Sequence, residues 1–144
     1  HFTKELICKK LLNIYDVNTW RPYCHVNDFA RLIHMVIEAP EEKVSFEVFN
    51  AGGDINNATK QMIVNNILEQ IPHGKVQYHN YGTDPRNYRV NFEKVKSILG
   101  FEPKYTINDG VEELVNAINN HIFDNVIENR KYYGNYNIEY EVSE

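Results

Sequence analysis

The chain has 144 residues, a formal net charge of -5, 42% hydrophobic and 24% charged residues, and ten tyrosines. That size sustains one domain with a core that needs no disulfide or metal staples, and the composition excludes an intrinsically disordered polymer. No run is apolar over the length of a membrane helix, and the scattered Lys and Arg leave no basic footprint for nucleic acid, so neither membrane nor nucleic acid is an expected partner.

The opening "HFTKELICKKLL" lacks an initiator methionine and is already in helical rhythm, with Phe2, Leu6, Ile7 and Leu11 on one face. It reads as a cut through a longer protein. "NIYDVN" reads as a short strand, and "RPYCHV" as a second extended run because Arg21 precedes Pro22. From Asn27 and Asp28, placed as N-caps, Phe29, Leu32, Ile33, Val36 and Ile37 repeat with helical spacing until Pro40.

"VSFEVFNAGG" alternates Val44, Phe46 and Val48 before Asn50 and Gly52-Gly53, the pattern of a half-buried strand and turn. A helix follows over about Thr59 to Ile71, with Val64, Ile67, Leu68 and Ile71 on one side. "KVQYHN" and "NYRVNF" are two more expected strands. Glu93 to Leu99 is a short helix with Gly100 placed for a left-handed cap, and Thr106 with Asp109 has capping-box spacing before a last helix carrying Val111, Leu114, Val115, Ile118 and Ile122. The result is an α/β domain over 1–123 and a Tyr-rich extension over 124–144, which is expected to lie on the domain or a partner or to fray.

Candidate chemistry is sparse. The six histidines form no helix i, i+4 pair, and neither they nor the two cysteines make a zinc frame, so no metal is expected. Cys8 and Cys24 make no disulfide framework, which points to a reducing cytosol and a cytoplasmic location. Cys24 and His25, adjacent in an extended run, point to opposite faces and cannot act as nucleophile and base. Gly52-Gly53 fits a turn better than a phosphate approach.

The arginines discriminate more. Arg21, flanked by Trp20 and Tyr23, is a candidate for bidentate contact to an anion, and "DPRNYR" offers Arg86 or Arg89 from a second loop. Two arginines from separate loops suit a diphosphate, each charge-assisted contact contributing about 1.5–3 kcal/mol.

In order and spacing, "WRPYCHVNDFARLI", "EVFNAGG" and "DPRNYRVNFEKVKSILGFEPKYTINDGVEELVNAI" resemble the carboxy-terminal half of extended short-chain dehydrogenase/reductases, the NAD-dependent nucleotide-sugar epimerases and dehydratases. The resemblance spans about Phe2 to Ile118. It implies a small mixed α/β substrate-binding domain that lacks the Rossmann half, where the family holds NAD(P) and its Tyr-x-x-x-Lys pair. This chain has neither a Gly-x-x-Gly-x-x-Gly loop nor a tyrosine followed four residues later by lysine.

By the same resemblance, Arg21 is the arginine that meets the substrate diphosphate, Arg86 or Arg89 is the second, and His25, Asp28, Asn50 and Gly52 are structural signature positions. Asn91 and Lys94 resemble a loop-to-helix step that the family writes with Asp. The expected function is therefore nucleotide-sugar binding within an NAD-dependent epimerase/dehydratase, in nucleotide-sugar or surface-polysaccharide biosynthesis. No catalytic residue is expected in this piece, and no cofactor on it alone. The parent is expected to be a homodimer, while the piece alone need not be. The alternatives are a nucleotide-sensing protein of the same fold and a protein-interaction module.

Overall fold

The computed structural model describes residues 1–8, 10–81 and 86–124. The Tyr-rich extension, apart from Asp124, lies outside them. In chain order the elements are α1 (Phe2–Ile7), β1 (Leu11–Tyr15), β2 (Trp20–Pro22), α2 (Val26–Glu38), α3 (Glu41–Val44), a 3-10 turn (Asp54–Asn56), β3 (Asn57–Thr59), α4 (Lys60–Gln70), β4 (Lys75–His79), α5 (Glu93–Leu99) and α6 (Ile107–Asn119). This is the mixed α/β class that the sequence implies.

Two small sheets organise the chain. β1 and β4 pair in parallel, from Leu11 opposite Lys75 to Tyr15 opposite His79. β2 and β3 pair antiparallel, with Trp20 opposite Thr59 and Pro22 opposite Asn57. Proline is tolerated there because the strand is short and at an edge.

Alternation in β1 turns Leu12 and Ile14 inward, where they join Leu6, Val64, Ile67 and Val111 in one core cluster. The expected helical face of the first segment therefore stops at Ile7, because Leu11 already belongs to a strand and points to solvent. A second cluster gathers Leu32, Phe92, Val95 and Phe101, bringing α2 and α5 together.

Local signals fix several boundaries. The Thr59 hydroxyl accepts from the Met62 N–H at 3.2 Å and starts α4. Gly100 closes α5 in the left-handed region, with φ of 65°. The box at α6 is complete: the Thr106 hydroxyl accepts from the Asp109 N–H, and the Asp109 carboxylate accepts from the Thr106 N–H at 2.7 Å.

The start of α2 corrects the sequence reading. Its N-cap is His25, whose Nδ1 accepts from the Asn27 N–H at 3.2 Å. Asp28 is not a cap. It is fully buried and points away from the helix end, toward the loop before α6.

Two expected strands are absent. Residues 45–50 form no ladder, and Val44 ends the short helix α3. Residues 88–92 run beside the antiparallel sheet without a ladder, and at Val90 a side chain supplies the pairing. The Asn57 amide accepts from the Val90 N–H at 3.1 Å and donates to the Val90 carbonyl at 2.9 Å. One Asn amide thus takes the place of a neighbouring strand's peptide. The α2 face also differs from expectation: Leu32 is buried and Val36 half-buried, whereas Phe29, Ile33 and Ile37 are exposed.

Candidate functional site

The residues that the sequence singles out converge on β2 and the segment beside it. The Trp20 N–H donates to the Asn87 side-chain oxygen at 2.9 Å, and the Tyr88 N–H donates to the Trp20 carbonyl at 3.4 Å. Across this lacing, side chains interlock by charge and ring. The Arg21 guanidinium lies 5.2 Å from the Tyr88 ring centre, and the Arg89 guanidinium 4.6 Å from that of Trp20. Arg21 also donates from Nη1 to the Trp20 carbonyl at 2.7 Å.

Neighbouring residues of an extended chain face opposite sides. Trp20 and Arg21 do so on β2, and Tyr88 and Arg89 do so beside it. Arg21 with Tyr88 therefore occupies one face, and Arg89 with Trp20 the other. Arg86 is described and exposed at the mouth of the same segment.

His25 and Asp28 have structural partners. His25 stacks on Tyr105 with ring centres 4.3 Å apart, and its Nε2 meets Glu113 at 3.0 Å, so one imidazole ties α2 to α6. The Nδ1 acceptor role assigns the proton to Nε2. Asp28 accepts from the Lys104 and Tyr105 N–H groups and from Arg31. Burial works against its charge, yet the hydrogen bonds from Lys104, Arg31 and Tyr105, with the charge of Arg31, hold its carboxyl below the usual carboxylate range.

At Cys24, burial and then the Asp28 charge raise the thiol above its ordinary value, against a smaller opposing effect of Arg31. Its Sγ contacts the His25 carbonyl at 3.6 Å. Burial likewise raises the Tyr23 hydroxyl, with Arg21 partly offsetting it.

A Cβ on Gly52 would lie 2.9 Å from the Phe92 ring, and one on Gly53 would lie 2.6 Å from Pro103. The space these glycines leave is filled by the protein's own side chains, so they cradle no phosphate. Asn50 donates to the Asn91 carbonyl at 3.0 Å, completing a structural corner with Gly52. Among the described residues no strand-to-helix glycine loop suits NAD, no group of three or more His, Cys, Asp or Glu is placed for a metal, and no helix is long and apolar enough to cross a membrane.

Sequence reading missed one cluster. At the carboxyl ends of the parallel pair, Tyr15 stacks on His79 with centres 4.7 Å apart, and Tyr81 meets both edge-on at 6.0 and 5.9 Å. His79 is held by Asn13 at 2.9 Å. The signal was available: if Leu12 and Ile14 point inward, Tyr15 must point out at a strand end.

Residues 3–52 match the NAD dependent epimerase/dehydratase family. Among solved structures, dTDP-glucose 4,6-dehydratase from Bacillus anthracis in complex with NAD is similar at 30% identity and TM-score 0.69, over 85% of this chain and 39% of that one. UDP-glucose 4-epimerase from Thermotoga maritima with UDP-glucose is similar at 23% identity and TM-score 0.71, over 84% and 38%. The GalE-like L-threonine dehydrogenase from Cupriavidus necator is similar at 16% identity and TM-score 0.68, over 81% and 44%. No curated protein sequence matches the chain.

The fold is that of extended short-chain dehydrogenase/reductases of the epimerase/dehydratase kind, as the motifs imply. The chain spans less than half the length of these solved neighbours.

Proposed function

We propose that this chain is the substrate-binding part of an NAD-dependent enzyme acting on a nucleotide diphosphate sugar. The observation that carries the reading is the Arg21–Tyr88 face of β2. It joins a delocalised cation, oriented by its carbonyl contact and an aromatic ring, to the loop that delivers Arg86. Arg89 already lies over the Trp20 ring, so the pair proposed to grip the diphosphate is Arg21 and Arg86. The exposed Tyr15–His79–Tyr81 cluster, at the strand ends where α/β sheets receive ligands, offers a flat ring for the nucleobase.

In this reading the described residues of the chain bind and orient the substrate. A second half would contribute the dinucleotide and the reacting groups. The neighbours named above include enzymes of nucleotide sugars and one of L-threonine, so the anion and base contacts decide the substrate class.

The test is a titration of the 144-residue chain followed by amide NMR. UDP or dTDP should shift Arg21, Tyr88, Tyr15 and His79 at about millimolar ligand, with free glucose and L-threonine inert. Shifts with L-threonine alone, or none with either diphosphate, would count against the assignment.

A further inference from the structure

Trp20 and Pro22 form the outer edge of the antiparallel sheet. The Lys60 N–H donates to the Thr19 carbonyl at 3.3 Å and the Tyr23 N–H to the Asn56 carbonyl at 2.9 Å, so residues 19 and 23 turn toward β3, and the even positions between them turn away. Residues 87–91 follow that edge in the direction of β2: Tyr88 is bonded at Trp20, and Val90 at Asn57, which stands opposite Pro22. A third strand cannot continue there, because Pro22 has no N–H to offer an outer neighbour.

Asparagine amides replace the missing ladder. The Asn87 oxygen accepts from the Trp20 N–H at 2.9 Å, Asn50 donates to the Asn91 carbonyl at 3.0 Å, and Asn57 bonds both the N–H and the C=O of Val90. Among the described residues, the one main-chain bond from 87–91 to another element is that of Tyr88 to Trp20, at 3.4 Å. The segment that sets Tyr88 against Arg21 and Arg89 against Trp20 is therefore held mainly by side chains.

We infer that Asn57 is a positioning residue for anion binding: its amide fixes residues 86–90 on the edge of β2, and through them sets the geometry of Arg21 and Arg86. Cross-strand neighbours share a face of a sheet, which puts Asn57 with Pro22 and Trp20 and opposite Arg21. It acts on an anion at Arg21 only through the segment it holds. The inference rests on the proposed diphosphate site and adds to it a residue that touches no ligand.

Asn57→Leu keeps the bulk and removes the amide, and Asn57→Ala removes it without bulk. In the 144-residue chain either change should move the emission of Trp20, the sole tryptophan, to longer wavelength and speed amide exchange at Val90. In the parent protein, calorimetric titration with UDP and dTDP should show binding weakened about fivefold or more. In an Arg86→Ala/Tyr88→Ala background the same change should cost less than about twofold, since the contacts it positions are already gone. An equal loss in both backgrounds, unchanged affinity where Arg86→Ala weakens binding, or an unmoved Trp20 emission overturns the inference. A moved Trp20 emission in a protein that binds neither diphosphate keeps Asn57 as the holder of the segment and overturns the diphosphate assignment instead.

Discussion

Asp28 and Lys104 stand 76 positions apart, yet both carboxylate oxygens of Asp28 lie 3.0 Å from the Lys104 backbone nitrogen. Tyr105 adds a third backbone donor contact at 2.9 Å, and Arg31 binds the same carboxylate at 2.8 Å while donating to the Glu102 carbonyl and lying over Phe101. One buried charge thus fixes the loop that aims α6, and with it Tyr105, on which His25 stacks. Removing the carboxylate leaves two backbone donors and a guanidinium without their acceptor. Asp28→Ala should cost about 3–5 kcal/mol of unfolding free energy, measured by urea titration.

The same group sets an acid limit. Its folded pKa is depressed, so its contribution is fully present above the unfolded value near 3.9 and is lost as pH falls through the lower folded value. The melting temperature should therefore drop steeply below about pH 4. In Asp28→Asn it should be lower at neutral pH and flatter in acid. Asp109, lowered first by the Thr106 hydroxyl and then by the Thr106 N–H, acts in the same direction.

Gly52 has φ of 140°, and a Cβ there would lie 2.9 Å from the Phe92 ring. Gly52→Ala meets both an unfavourable backbone and a ring in the second core cluster. A loss of more than about 1 kcal/mol is expected by chemical denaturation. Gly100, with open space around its Cβ position, should show only the backbone penalty.

What could be read from the sequence was local. The Thr106 and Asp109 box, the Gly100 cap and the α4 start at Thr59 depend on residues within four positions of each other. What was missed depends on distant partners. Asp28 satisfies backbone groups 76 and 77 residues away, and Asn57 replaces a strand for Val90, 33 residues on. The alternation at Val44, Phe46 and Val48 was read as a strand, but no neighbouring strand among the described residues pairs with it. At the candidate site, the motif spacing singled out Arg21, Arg86 and Arg89, whereas the placing of Arg21 by Tyr88 and of Arg89 by Trp20 depends on contacts between distant segments. Alternation along β1 turns Tyr15 outward, but its stacking on His79 depends on the parallel register with β4, which no local signal carries.

The central claim is that Arg21 and its side of β2 grip a substrate diphosphate. Calorimetric titration of the parent protein with its nucleotide sugar, comparing Arg21→Ala, Arg86→Ala and Arg89→Ala, tests it most directly. Arg21→Ala and Arg86→Ala should each weaken binding by about tenfold or more, and Arg89→Ala by less than about threefold. Unchanged affinity in Arg21→Ala, or a dominant loss in Arg89→Ala, would contradict the account.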